Sequence, residues 1–191
     1  MKPGTTLQTE RLLIRHWMYD NDDREIFYQI MSNEIGRRYY PSRLTRKRAD
    51  EVLEQMISGQ SAGELSWSVA CRKDNGQQLG FTGLRDVTFD VSFAPTVEIG
   101  WQYLPVHWGN GYATEAAAEL LRHAFEDLNL PEIVAFAIEE NTGSTAVMNR
   151  VGMKHRPDET FIHPNVPDTH PHLKRHVLWR TTKDEWKEQN F

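Results

Sequence analysis

Three features of the sequence predict a mixed α/β (α+β) fold. Residues 66–104 hold several strand-like segments joined by turn signals. An alanine-rich stretch from Ala113 to Leu128 repeats at helical spacing. Ile133 to Ile138 is an unbroken apolar run, as expected of a strand buried on both faces. The length of 191 residues suits one domain, taken as 1–191, better than two.

Along the chain, Arg11-Leu12-Leu13-Ile14-Arg15 reads as a first strand. Asn21 and Asp22 offer caps for a helix whose apolar positions are Ile26, Phe27, Ile30 and Met31. Thr45 is a second candidate cap, before the stripe Ala49, Val52, Leu53, Met56 and Ile57; Gly59 and Gly63 are expected to end that helix. Trp67, Val69 and Cys71 alternate with Ser66, Ser68 and Ala70, a period-two signal. Asp74-Asn75-Gly76 predicts a hairpin turn with positive φ angles, returning into a strand over Leu79 to Val87. Gly80 and Gly83 mark bends or close approach there. A further strand spans Val97 to Leu104 and stops at Pro105, which cannot donate to a ladder. After Ile133–Ile138, Asn141-Thr142-Gly143-Ser144 opens a shorter helix ended by Gly152. Asp158 to His172, rich in Pro, His and Asp, reads as a loop. His176 to Arg180 is a last strand, and Lys183 to Gln189 a polar turn or helix.

Composition excludes several classes. A formal net charge of -5 argues against general nucleic-acid binding, which needs a basic surface. No stretch approaches the roughly 18 apolar residues of a membrane span. No apolar run follows Lys2, so no secretory leader is expected. The single cysteine, Cys71, allows no internal disulfide and fits a reduced, cytoplasmic location. It sits beside Trp67 and Val69, so a buried thiol is a better reading than a nucleophile.

The chemistry is expected where a strand gives way to Trp108-Gly109-Asn110-Gly111-Tyr112-Ala113-Thr114 and then at once to the alanine-rich helix. A helix start presents free N–H groups and partial positive charge, which bind phosphate without lysine. Gly109 and Gly111 let the backbone approach an anion, and Ala113 is small on the first turn. Taken alone, a glycine pair is better explained by a tight connection, since such pairs are common.

The order of elements adds to this. An antiparallel meander, a strand, a glycine turn, a long helix, a buried strand and an Asn-led helix together resemble the GNAT superfamily of coenzyme A-dependent N-acetyltransferases. The family motif is Gln or Arg, two residues, Gly, one residue, then Gly or Ala; Gly111 and Ala113 match, while Trp108 replaces the first position. That departure is similar to the branch of ribosomal-protein N-terminal acetyltransferases, as are Trp108 through Ala116, Glu98-Ile99-Gly100-Trp101, Asn141-x-x-Ser144 and Thr9-Glu10-Arg11. The resemblance extends from about Leu7 to Trp179.

It implies a twisted, mostly antiparallel mixed sheet of about seven strands flanked by about four helices, with a splayed central strand pair. Acetyl-CoA would be the co-substrate, with no metal. Its pantetheine arm would pair with the backbone of Trp101, Gln102, Tyr103 and Leu104, and run past Val106. Its diphosphate would sit on Trp108, Gly109, Asn110, Gly111, Tyr112, Ala113 and Thr114. Asn141 would bond a pantetheine amide, cap its helix, or do both, and Ser144 would lie near the sulfur.

The implied reaction is direct attack of a neutral amine on the thioester. Glu98 is the candidate base, acting through water; a strand-face salt bridge explains it equally well. A backbone N–H near Gln102 or Tyr103 could hold the oxyanion. Where many family members carry a general-acid tyrosine this chain has Met148, leaving Ser144 or water to protonate the thiolate. The acceptor, a peptide N-terminal α-amine or a small molecule, is expected to meet Tyr39, Tyr40, His163 and Arg175. Basic residues from Arg37 to Arg48 could attract an acidic acceptor, or simply form a solvated face. His163, His170, His172 and His176 lack the fixed spacing of a metal site.

Two rivals compete. A dinucleotide enzyme would also open a helix on Gly109-x-Gly111, with Glu139 or Glu140 on the ribose. But Thr114 replaces its third glycine, and the preceding strands are antiparallel. A non-catalytic acyl-CoA-binding module would tolerate Met148, although Glu98 and Ser144 remain. Monomer and homodimer are both compatible with the sequence.

Overall fold

The computed structural model describes residues 5–189, so Met1 to Gly4, read above for a leader, lie outside the described residues. Strands β1 (Leu7–Gln8), β2 (Leu12–Arg15), β3 (Trp67–Arg72), β4 (Gln78–Asp86), β5 (Val97–Tyr103), β6 (Glu132–Ile138), β7 (Lys154–Ile162) and β8 (Arg175–Thr182) form one sheet, in the order β1-β2-β3-β4-β5-β6-β8-β7. Helices α1 (Asn21–Ser32) and α2 (Arg46–Ser61) connect β2 to β3. Helix α3 (Tyr112–Arg122) crosses from β5 to β6, α4 (Thr142–Arg150) follows β6, and α5 (Lys183–Gln189) follows β8.

Both faces of the sheet are covered. Val69, Cys71 and Phe81 pack under α1 and α2 against Phe27, Ile30 and Leu53. Ala70, Leu79 and Leu84 face the other way, onto Ala116, Ala117, Leu120 and Leu121 of α3. The alternation in β3 is thus real, but both sets are buried. Leu120 and Leu121 are essentially inaccessible, and each such leucine contributes about 1.5–3 kcal/mol of transfer free energy. Among the described residues no helix is long and apolar enough to cross a membrane.

Among the described residues only β5 and β6 run parallel, and a single residue pair, Glu98 and Val134, is in register between them. Beyond that pair the strands part. This is the expected splay, and it opens a crevice at the carboxyl ends of parallel strands, where α/β ligands settle. Gly80 permits the close β4–β5 approach, since a Cβ there would meet the Gln102 carbonyl at 2.4 Å.

Several expectations need correction. Asp20 caps α1, its side chain accepting from the Asp23 amide at 2.8 Å, in place of Asn21 or Asp22. Helix α2 runs through Gly59 to Ser61. At the hairpin only Gly76 has positive φ; Asn75 instead accepts from the Gln77 amide. The Asp158–His172 loop is too long, because β7 continues to Ile162. Phe161 packs into a third cluster with Phe89, Phe93 and Phe136, and that burial outweighs the local proline and charge. Strand β1 carried no pattern long enough to read. Helix α3 continues as a π turn over His123–Asp127, closed by His123 Nδ1 and Asp127 at 2.8 Å.

Candidate functional site

After β5, Pro105–His107 forms a 3-10 turn, and the chain reaches α3 through two residues in the left-handed region, Gly109 at φ 76° and Gly111 at φ 78°. The loop is braced from within and from across the sheet. Trp108 Nε1 donates to the Tyr103 carbonyl at 2.8 Å. Asn110 Nδ2 donates to the carbonyls of His107 and Trp108, both at 3.1 Å. Arg11 Nη1 donates to the Asn110 carbonyl at 3.0 Å. Arg11 Nε also binds Glu115 Oε2 at 2.6 Å, while the Arg11 amide and the Thr9 hydroxyl donate to Glu115 Oε1. Burial would raise the Glu115 pKa, but these three donors hold it below its ordinary value.

The result is a row of unused donors. Among the described residues, no acceptor takes the backbone N–H of Gly109, Asn110, Gly111, Tyr112, Ala113 or Thr114; the first N–H bonded back into the helix is that of Glu115, to Gly111 at 3.0 Å. Such a row at a helix start is an anion-binding device.

Two cavities flank this region. The first, about 750 Å³, is lined by the glycine turn, the start of α3, the end of β5 and α4. The second, about 970 Å³, lies between the sheet and α1–α2, and includes Trp67, Arg85, Glu98, Phe136, Met148, His163 and His176. They share Tyr39, Tyr40, Trp101, Gln102, Asn141 and Ser144. At this junction Asn141 Oδ1 caps α4 by accepting from the Ser144 amide at 3.3 Å. The Tyr39 hydroxyl donates to the Glu140 carbonyl at 2.9 Å, tying the α1–α2 connection to the start of α4. Gln102 Nε2 donates to the Gly36 carbonyl at 3.3 Å, while its buried Oε1 has no partner among the described residues.

Glu98 is 5% exposed on the wall of the second cavity. Burial raises its pKa, and Arg85, which donates Nε to Oε1 at 2.8 Å, opposes the rise only in part. Glu98 thus forms the strand-face salt bridge, with Arg85, and also lines the cavity. Met148 is buried and packs in the core.

The histidines divide. His163 and His176 stand 4.9 Å apart, centroid to centroid, among Phe89, Phe136 and Phe161. Burial, then the charges of His176 and Arg85, push His163 down to about 4; burial also lowers His176. His170 and His172 line neither cavity. Among the described residues no group of three or more His, Cys, Asp or Glu could hold a metal ion. Cys71 is buried, and burial pushes its thiol pKa up.

Four residues fall outside both cavities. Arg175 points to solvent and pairs with Glu139 at 3.2 Å. Val106 is 77% exposed, because the 3-10 turn rotates it off the strand. Leu104 donates its amide to Leu79 and packs toward α1–α2, so that N–H is already used. Asn110 braces the loop through its side chain and lines neither cavity. Thr9, Arg11, Glu115, Arg150 and Arg85 were not foreseen as site residues. The first three lie in segments that carry the resemblance, which was the available signal.

Comparison with known proteins agrees with this geometry. The family model "Acetyltransferase (GNAT) domain" matches residues 11–154. The chain is 28% identical over 162 residues to "Uncharacterized N-acetyltransferase YnaD" of Bacillus subtilis, covering 84% of this chain and 88% of that protein. It is 40% identical over 91 residues to "FsC-acetyl coenzyme A-N(2)-transacetylase" of Aspergillus fumigatus, covering 47% of this chain but only 37% of the fungal protein. The structure of a putative ribosomal-protein-serine acetyltransferase from Vibrio cholerae superposes with a TM-score of 0.74 at 17% identity, covering 95% of this chain and 99% of that one.

Proposed function

The chain belongs to the GNAT acetyltransferases and is an acetyl-CoA-dependent N-acetyltransferase, and from that premise we propose that it acetylates a protein or peptide N-terminal α-amine by direct attack. One observation carries the reading. Of the six residues from Gly109 to Thr114 whose amides are unused, all but Asn110 line a cavity that joins a second cavity at Asn141 and Ser144. A diphosphate-bearing donor on one side can thus meet an amine on the other.

In this reading those six amides hold the diphosphate. The open edge of β5 at Trp101, Gln102 and Tyr103 pairs with the amide-bearing arm like an added strand. Asn141 orients that arm and Ser144 lies beside the sulfur. Glu98 accepts the amine proton through water: burial makes its carboxylate more basic, while Arg85 keeps it ionisable. An α-amine, with pKa near 8, needs less help than a lysine near 10.4. A backbone N–H near Gln102 or Tyr103 receives the developing oxyanion, and Ser144 or water returns a proton to the thiolate. Tyr39 and Tyr40 border both reactants.

The N-terminal acceptor rests on the motif from Trp108 to Ala116 and on the name of the Vibrio cholerae neighbour, a ribosomal-protein-serine acetyltransferase. A small amine is the second reading. The Aspergillus relative's name describes an N(2)-transacetylase, and a pocket of about 970 Å³ can enclose a small molecule. Thiol release from acetyl-CoA, measured with N-terminal peptides and with small amines, separates the two. Turnover of peptides alone supports the first reading, and turnover of small amines alone refutes it.

A further inference from the structure

Of the fifteen arginines in the sequence, twelve form an ion pair with a carboxylate. The other three, Arg37, Arg38 and Arg150, have no such partner among the described residues, and all three line a cavity. Arg38 and Arg150 line the first. Arg37 lines the second, together with Glu98 and Ser144.

Arg37 is held in place by neutral groups. Its Nη2 and Nε donate to the Ser42 carbonyl at 3.1 and 3.4 Å, its Nη1 approaches Met31 Sδ at 3.8 Å, and its guanidinium lies 3.8 Å over the Tyr40 ring. Burial lowers its pKa, which marks a cation deprived of water without an anion in return. The carboxylates on the same wall, Glu64, Asp86 and Glu98, form no ion pair with it, and Glu98 belongs to Arg85. Met31 and Tyr40 belong to the same wall, so the guanidinium is fixed where an acceptor would lie.

We propose that the acceptor carries a carboxylate or like anion as well as its amine, and that Arg37 binds the anion in the cavity where Glu98 receives the amine proton. This rests on the reading that the second cavity holds the acceptor. Both a small amino acid and a peptide with an acidic side chain near its N-terminus supply this chemistry. Arginine suits the task because its planar fork binds a carboxylate through two parallel bonds.

The test compares acid and amide partners of equal size with acetyl-CoA: free glutamine against glutaminamide, which lacks the α-carboxylate, and Ser-Asp against Ser-Asn peptides with amidated C-termini. The acid member of at least one pair is expected to have a KM at least about tenfold lower, the scale of one charge-assisted hydrogen bond. Arg37→Ala should remove that preference, and Arg37→Lys should keep part of it. Which pair shows it identifies the source. Equal KM within both pairs, or a preference that survives Arg37→Ala, overturns the proposal. If no amine is turned over, acetyl transfer to these acceptors is what fails. Calorimetry of the same ligands on CoA-loaded protein then still decides the Arg37 question, tighter binding of acids by wild type but not by Arg37→Ala supporting it and equal binding overturning it.

Discussion

Arg11 and Glu115, 104 positions apart, lock the first strands to the first turn of α3: the Arg11 amide and Nε take the two carboxylate oxygens of Glu115 at 2.8 and 2.6 Å. The same arginine reaches the Asn110 carbonyl at 3.0 Å and lies 4.8 Å over the Tyr112 ring. One side chain thus fixes the glycine turn from both ends. Arg11 is nearly half exposed, so an isolated ion pair here would contribute under about 1 kcal/mol to stability. Its consequence lies in holding the amides in position, which acts on binding.

Arg11→Ala is therefore expected to shift thermal stability little and to weaken CoA binding about five- to tenfold by calorimetry. Glu115→Gln should act in the same direction. A large loss of stability with unchanged CoA affinity would assign the pair to folding alone.

Gly111→Ala tests the turn itself. At φ 78° an alanine costs about 1–2 kcal/mol, while its Cβ would meet only Arg11 Nη2, at 3.5 Å. The strain, not a clash, should lower stability by about that amount and weaken CoA about tenfold. A variant with wild-type stability and affinity would show that the left-handed turn is not required.

Glu98→Gln keeps the shape of the buried side chain and removes the base. The expected fall in kcat is about a hundredfold, with CoA affinity within about twofold of wild type. An unchanged kcat in steady-state thiol release would return Glu98 to its salt bridge with Arg85 and leave the base elsewhere.

Acid should destabilise the protein through His163. Its pKa falls from 6.5 to about 4 on folding. Above 6.5 it is neutral in both states and adds no pH dependence. Between 6.5 and 4 the unfolded chain takes up a proton that the folded chain refuses, so stability falls as pH falls. Discounted for its partial exposure, the loss is about 1 kcal/mol between pH 7 and pH 5. Glu98, raised by burial, acts in the opposite direction, so the comparison is with His163→Phe. That variant should lose less stability over this interval in urea titrations, and an equal loss would contradict the account.

The glycine turn, the long helix and the central strands were legible because their signals are local. The Thr45 cap, the Asn141 cap and the stop at Pro105 each depend on a few neighbouring residues. What escaped depends on distant packing. Strand β7 contains Pro157, Asp158 and Glu159, and reads as strand only when β8 and the Phe89–Phe136 cluster are beside it. In the site, Glu98, the glycine turn and the basic run from Arg37 to Arg48 could be picked from the sequence, while Arg85 could not, nor could Arg37 be singled out within that run. Their meaning lies in which carboxylate each has or lacks, a property of the folded chain. Arg175 was misplaced for the same reason: its neighbour in sequence, His176, faces the cavity, and alternation along β8 turns Arg175 to solvent and Glu139.

The central claim is that the start of α3 grips the diphosphate of the donor through its backbone. A titration of ¹⁵N-labelled protein with CoA, followed by amide resonances, tests it most directly. The largest shifts are expected at the amides of Gly109 to Thr114, with much smaller ones there when pantetheine, which lacks the diphosphate, replaces CoA. Unmoved resonances at these six positions under saturating CoA would contradict the account.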